Sequence, residues 1–125
     1  MKTEGLTMEL KREYTEDIKK TVIAFANTEG GEILIGVDDD GAVVGVDDAA
    51  GMMLKVTNAI RDSIKPDVTV FVLCEGRELE GKAVVAVKVQ RGAARPYYLA
   101  GKGIRPEGVY VRQSASSVPA TESAI

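Results

Sequence analysis

Histidine is absent from this chain, and cysteine occurs once, at Cys74. These absences remove Cys/His zinc sites, Ser-His-Asp hydrolysis and an imidazole general base. A single cysteine leaves no intrachain disulfide, which suits a cytoplasmic protein. Tryptophan is missing and aromatics make up 5% of the residues, so the core must come from Val, Ile, Leu, Ala and Met. No apolar run approaches the roughly 18 residues of a membrane span. Met1-Lys2-Thr3 is not followed by an apolar signal core, so neither secretion nor a membrane partner is expected. Any chemistry falls to carboxylates, Lys, Tyr, Ser or a hard metal ion held by oxygens.

What is present suits one soluble domain: 125 residues, 45% hydrophobic and 28% charged. The net charge of −3 is unevenly spread. Residues 1–81 carry 9 Lys and Arg against 17 Asp and Glu, a balance of −8; residues 82–125 carry 7 against 2, a balance of +5. Such a split can mark a chain that meets a polyanion with one part only.

The chain is organised around residues 18–46. Thr15 reads as a helix N-cap, with Glu16 and Asp17 in the first turn. Ile18, Val22, Phe25 and Ala26 then share one helical face, and Gly30-Gly31 stops the helix. Ile33 to Val37 is a short buried strand, and Asp40-Gly41 predicts a hairpin with Ala42 to Val46 returning. Phe25 and Ile35 are expected to be buried where this helix meets the strand. Before this unit, residues 3–14 alternate as a strand with one wet face. After it, Asp47 or Asp48 caps a second helix that ends at Lys65-Pro66. Val68 to Cys74 and Lys82 to Gln90 read as strands joined by a polar turn over Glu75 to Gly81. Residues 91–107 form a basic loop, Gly108 to Arg112 a last strand, and 114–125 a flexible tail or linker start after a domain of residues 1–113. The class predicted is α+β: a mainly antiparallel sheet of about five to six strands with two helices packed on it.

Three groups of residues could carry chemistry. Glu4, Glu9 and the trio Asp38, Asp39 and Asp40 converge if the first strand lies beside Ile33–Val37. Two or three carboxylates at one strand end can hold Mg²⁺ or Mn²⁺, and Lys11 shares the face of Glu9. Glu4 and Glu9 would face opposite sides of one regular strand, so they meet only if the chain bends near Gly5-Leu6-Thr7. The same acids also read as a solvated surface and a turn. Asn27-Thr28-Glu29-Gly30-Gly31 reads as a C-cap; as an anion site it sits at the wrong end of the helix dipole. Arg91, Arg95, Tyr97, Tyr98, Lys102, Arg105 and Arg112 interleave cations with aromatics. That combination suits phosphate contacts with base stacking, or a solvated loop anchored by one Tyr.

Four motifs carry a resemblance: Glu4 with Glu9-Leu10-Lys11; Ala24 to Gly31; Ile33 to Gly41; and Arg95-Pro96-Tyr97-Tyr98 with Gly108 to Arg112. Together they resemble the Schlafen-type Alba-like domain of bacterial and archaeal regulators, over nearly the whole chain. The resemblance implies binding of nucleic acid, DNA or RNA, with no cofactor required. It implies a transcriptional regulator in which winged-helix or ATPase-like domains follow this one. The animal Schlafen branch implies a metal-dependent endoribonuclease instead. Its acidic centre would fall on Glu4, Glu9 and Asp38, with Lys11 nearby, Asp39 as the competing third acid, and Mg²⁺ or Mn²⁺ as the ion. Paired domains in that branch imply that this chain forms a homodimer. A module for dimerisation or protein interaction is the third reading.

Overall fold

The computed structural model describes residues 3–121. Strand β1 (Met8–Lys11) is followed by helix α1 (Asp17–Asn27), β2 (Gly31–Ile35), helix α2 (Ala49–Ser63) and the short β3 (Ile64–Lys65). A 3-10 turn (Thr69–Phe71) leads into β4 (Val72–Leu79) and β5 (Lys82–Val89), and then come β6 (Tyr98–Leu99), β7 (Tyr110–Gln113) and β8 (Ser116–Pro119). The class is α+β with two helices. The strands are more numerous than the sequence predicts, eight among the described residues, and they divide among three sheets.

The main sheet runs β1-β2-β5-β4, and the pairs β3-β6 and β7-β8 stand apart from it. β1 and β2 are parallel, because α1 crosses over between them; the other pairs are antiparallel. Side chains alternate across the sheet. Ile33, Ile35, Val85 and Val87 pack under the helices with Phe25, Val56 and Ile60, while Leu10, Leu34, Val84 and Ala86 fill a smaller cluster on the opposite face. Phe25 and Ile35 are both fully buried, as expected.

The glycine pair after α1 works by close approach. Gly30 has φ +77 and donates its N–H to Phe25 O at 2.8 Å. A Cβ on Gly31 would stand 2.7 Å from the Phe25 ring, so glycine is what lets helix and strand meet within one turn.

Several local expectations change. Helix α1 is capped at Glu16, not Thr15, with no side-chain cap bond. Asp48 caps α2, accepting from Gly51 N–H at 2.9 Å. Ala42–Val46 does not return as a strand. One bridge, Val37 to Val43, forms before Val44 and Gly45 both donate to Gly36 O and Val46 turns to Ala83 O. Gly36 and Gly45 hold positive φ there, which breaks the ladder. Thr69–Phe71 is a 3-10 turn rather than strand, and β4 extends through the polar stretch to Leu79. The turn shrinks to Glu80-Gly81, both with positive φ, as primed hairpin turns require. Ser116–Pro119, expected to begin a tail, pairs with β7 as β8. Residues 122–125 lie outside the described residues.

Candidate functional site

The chain does bend between the two N-terminal acids. Gly5 and Met8 exchange backbone bonds around a turn at Leu6-Thr7. The turn carries Glu4 back along β1, where its Oε2 accepts Leu10 N–H at 3.0 Å. The carboxyl groups of Glu4 and Glu9 come within hydrogen-bonding reach of each other. Burial, and then the Glu4 carboxylate, push Glu9 up from its ordinary 4.5 to about 7. Glu4 is held down, chiefly by its bond to Glu9. These opposite shifts favour the proton on Glu9 over Glu4.

Arg112 completes this cluster. Its side chain is fully buried and its guanidinium makes five hydrogen bonds. Nη1 donates to Glu9 Oε1 at 2.7 Å and to Ser117 Oγ at 3.0 Å. Nη2 donates to Gly5 O and Met8 O, each at 2.9 Å, and Nε to Gly5 O at 3.1 Å. The group lies over the Phe25 ring, 4.9 Å from its centroid. Lys11 Nζ stands 3.9 Å from the other Glu9 oxygen. A cleft of about 370 Å³ opens beside Glu9 and Lys11, lined also by Lys20, Thr21, Tyr110 and Ser117.

Asp38 does not join Glu4 and Glu9; it pairs with Arg12 at 3.2 Å. Its Oδ1 also accepts Asp40 N–H, and Asp39 is exposed on the same turn. Among the described residues no three His, Cys, Asp or Glu side chains are grouped to hold a metal ion. The turn at Gly36, which carries Asp38 toward Arg12, separates the third acid from the other two.

The basic residues sort by burial. Arg91, Arg95, Lys102 and Arg105 are exposed, and none engages in an ion pair among the described residues. Tyr98 is half-buried in β6, paired with the exposed Lys65 of β3. Two of the expected nucleic-acid contacts are corrected. Arg112 has its donors engaged inside the fold. Tyr97 is fully buried, and its hydroxyl accepts Ala94 N–H at 3.0 Å, so its ring has no face open to a base.

Asn27 is the residue that sequence reasoning undervalued. It sits at the end of α1 and binds the basic segment as a backbone strand would. Its Oδ1 accepts Tyr97 N–H at 2.7 Å, and its Nδ2 donates to Tyr97 O and Tyr110 O, each at 3.0 Å. Thr28 Oγ1 then accepts Arg112 N–H at 3.0 Å. The Asn-Thr pair beside the glycines is thus a clamp on residues 97–112, where the sequence suggests a cap.

Comparison with known proteins bears on this arrangement. No curated protein matches the chain. Among solved structures, the DIP2311 protein of Corynebacterium diphtheriae superposes with a TM-score of 0.70 at 18% identity, over 92% of this chain and 22% of that one. The N-terminal domain of an ATP-dependent DNA helicase RecG-related protein from Nitrosomonas europaea gives 0.64 at 24% identity, over 88% of this chain and 78% of that one. These likenesses show a shared fold, and the chain spans about a fifth of the C. diphtheriae protein. Residues 4–121 match the family model for Schlafen, AlbA_2, and the chain belongs to that family.

Proposed function

We propose that this chain is a nucleic-acid-binding domain, with DNA the favoured polymer, of a cytoplasmic transcriptional regulator whose further domains follow this one. One observation carries the reading: Arg91, Arg95, Lys102 and Arg105 stand exposed and without ion-pair partners on a segment that Asn27 and Tyr97 pin to the core. Surface charges of both signs are ordinarily interspersed, whereas residues 91–107 carry these four cations with a single acid, Glu107, in a chain of net charge −3. Held in place and unmatched, they can displace counterions from a phosphate backbone, and the anchored loop reduces the ordering cost of doing so. The likeness to the N-terminal domain of a helicase-related protein supports the same reading.

Titration of labelled duplex DNA and duplex RNA with the parent and with Arg95→Ala/Lys102→Ala/Arg105→Ala tests it. The triple variant should lose affinity for every sequence alike. Binding equal to the parent would favour the protein-interaction module.

A second reading, a Mg²⁺- or Mn²⁺-dependent nuclease, is favoured by the meeting of Glu4 and Glu9 with Lys11 alongside. The donor set does not fit a metal as it stands. Arg112 and Lys11 already face Glu9, and the third acid is engaged with Arg12. Cleavage of the same nucleic acids in Mn²⁺, lost in Glu9→Gln, would revive it.

A further inference from the structure

β4 is an open edge of the main sheet: β5 lies on one side, and no described strand on the other. Its free backbone groups can be assigned. Gln90 N–H donates to Phe71 O at 2.8 Å, and the Leu79–Lys82 pair closes the two-residue turn. Hydrogen-bonded pairs alternate in an antiparallel ladder. The odd residues from 71 to 79 therefore bond to β5, and Val72, Cys74, Gly76 and Glu78 turn N–H and C=O outward. Ala83 agrees. It stands opposite Glu78, and its carbonyl goes away from β4 to Val46 N–H at 2.8 Å.

Exposed apolar side chains gather along the same edge. Leu73, 55% exposed, lies on β4, and Val70, 82% exposed, lies on the turn leading into it. Leu54 is 63% exposed and follows Met53, whose Sδ stands beside Gly76. Helical spacing puts Leu54 further round α2 on the flank of Thr57, which lines a hollow with Cys74 at this edge. Long edges with exposed apolar residues are ordinarily covered or blocked by charge.

We infer that a second copy of this chain covers this edge, with β4 pairing antiparallel to β4 about a twofold axis at Gly76. The charge pattern selects that register. Centring the pair on Glu75 or on Arg77 sets each residue opposite its own like charge, which is destabilising. Centring it on Gly76 sets Glu75 of one copy opposite Arg77 of the other, so that the Arg77–Glu75 pair each copy makes at 2.9 Å joins a four-membered charge array across the axis, and sets Leu73 opposite Leu79. The outward groups of Gly76 then bond to their own symmetry mates, and those of Cys74 to Glu78. Two four-stranded sheets become one continuous sheet, with Leu54 of each α2 turned toward the axis. The contact is isologous and closes on itself, as stable dimers require. It is independent of the basic segment and of what that segment binds.

The test is the molar mass of the full chain by light scattering after gel filtration, across a dilution series. The parent should be a dimer. Gly76→Ala keeps the outward N–H, and its Cβ would meet only Met53 Sδ at 3.7 Å, so it should remain a dimer. Gly76→Pro removes that N–H without touching the bonds to β5 and should be a monomer with the parent's circular dichroism. Leu73→Lys changes an already exposed side chain and should also be a monomer, which keeps the test sound if the proline disturbs folding. A parent that is monomeric throughout, or a Leu73→Lys variant that dimerises like the parent, overturns the proposal.

Discussion

Arg112 Nη1 lies 2.7 Å from Glu9 Oε1, inside the fold and across 103 residues of sequence. That contact ties β7 to β1, and the same guanidinium holds the turn that brings Glu4 to Glu9. An arginine expected to meet phosphates is instead the tie that fixes the acidic pair and, with Asn27, the start and end of the basic segment.

Removing this guanidinium should be costly. Arg112→Met leaves the buried Glu9 carboxyl without its cation and removes the side-chain donors to Gly5 O and Met8 O, and should lower stability by about 3–5 kcal/mol. Arg112→Lys should recover only part, because an ammonium cannot reproduce the planar fork. Denaturant unfolding measures both; a loss under about 0.5 kcal/mol, the range of ordinary surface changes, would contradict the buried role.

The Glu9 carboxyl makes stability depend on pH. Its folded value of about 7 stands above the ordinary 4.5, so between them the folded state binds more protons than the unfolded state. Its contribution is full below about 4.5 and is lost as pH rises through about 7. Glu4 works the other way: its lowered value makes its contribution full above 4.5 and lost in more acidic solution. Glu9→Gln fixes the neutral form, so the Tm of the parent should fall relative to that variant as pH rises across the Glu9 window. Parallel Tm curves would contradict the raised Glu9 value.

Asn27→Ala should cost about 1–3 kcal/mol, since Tyr97 N–H, Tyr97 O and Tyr110 O lose their partner. Asn27→Asp should do worse, because it replaces two donors with acceptors aimed at two carbonyls. Both should also weaken nucleic-acid binding by releasing the basic segment. Hydrogen exchange of residues 94–112 checks this directly: faster exchange there than in β5 is expected, and unchanged protection would contradict the clamp.

The parts of the fold legible in the sequence are those with local signals. The α1 face of Ile18, Val22 and Phe25, the glycine stop and the apolar β2 depend on neighbours a few residues away. The need for a bend between Glu4 and Glu9 followed from the two-residue period of a strand, and the turn at Leu6-Thr7 supplies it. What stayed hidden depends on distant partners. β8 has no periodicity, and its pairing with β7 and the Ser117–Thr21 contact become visible only in three dimensions. Ala42–Val46 carried a hairpin signal, but the glycines at 36 and 45 diverted it. One signal for Arg112 went unused: it stands two residues after Tyr110, and in a strand that puts both on one face. Both are in fact buried.

The most direct measurement is the salt dependence of nucleic-acid binding. Affinity for one labelled duplex is followed across a range of salt concentrations, for the parent and for Arg95→Ala/Lys102→Ala/Arg105→Ala. If these side chains each neutralise a phosphate, the slope of log K against log salt should shrink by about one unit per contact, roughly three for the triple variant. A parent whose affinity does not change with salt, or a triple variant with the parent's slope, would contradict phosphate binding through this segment.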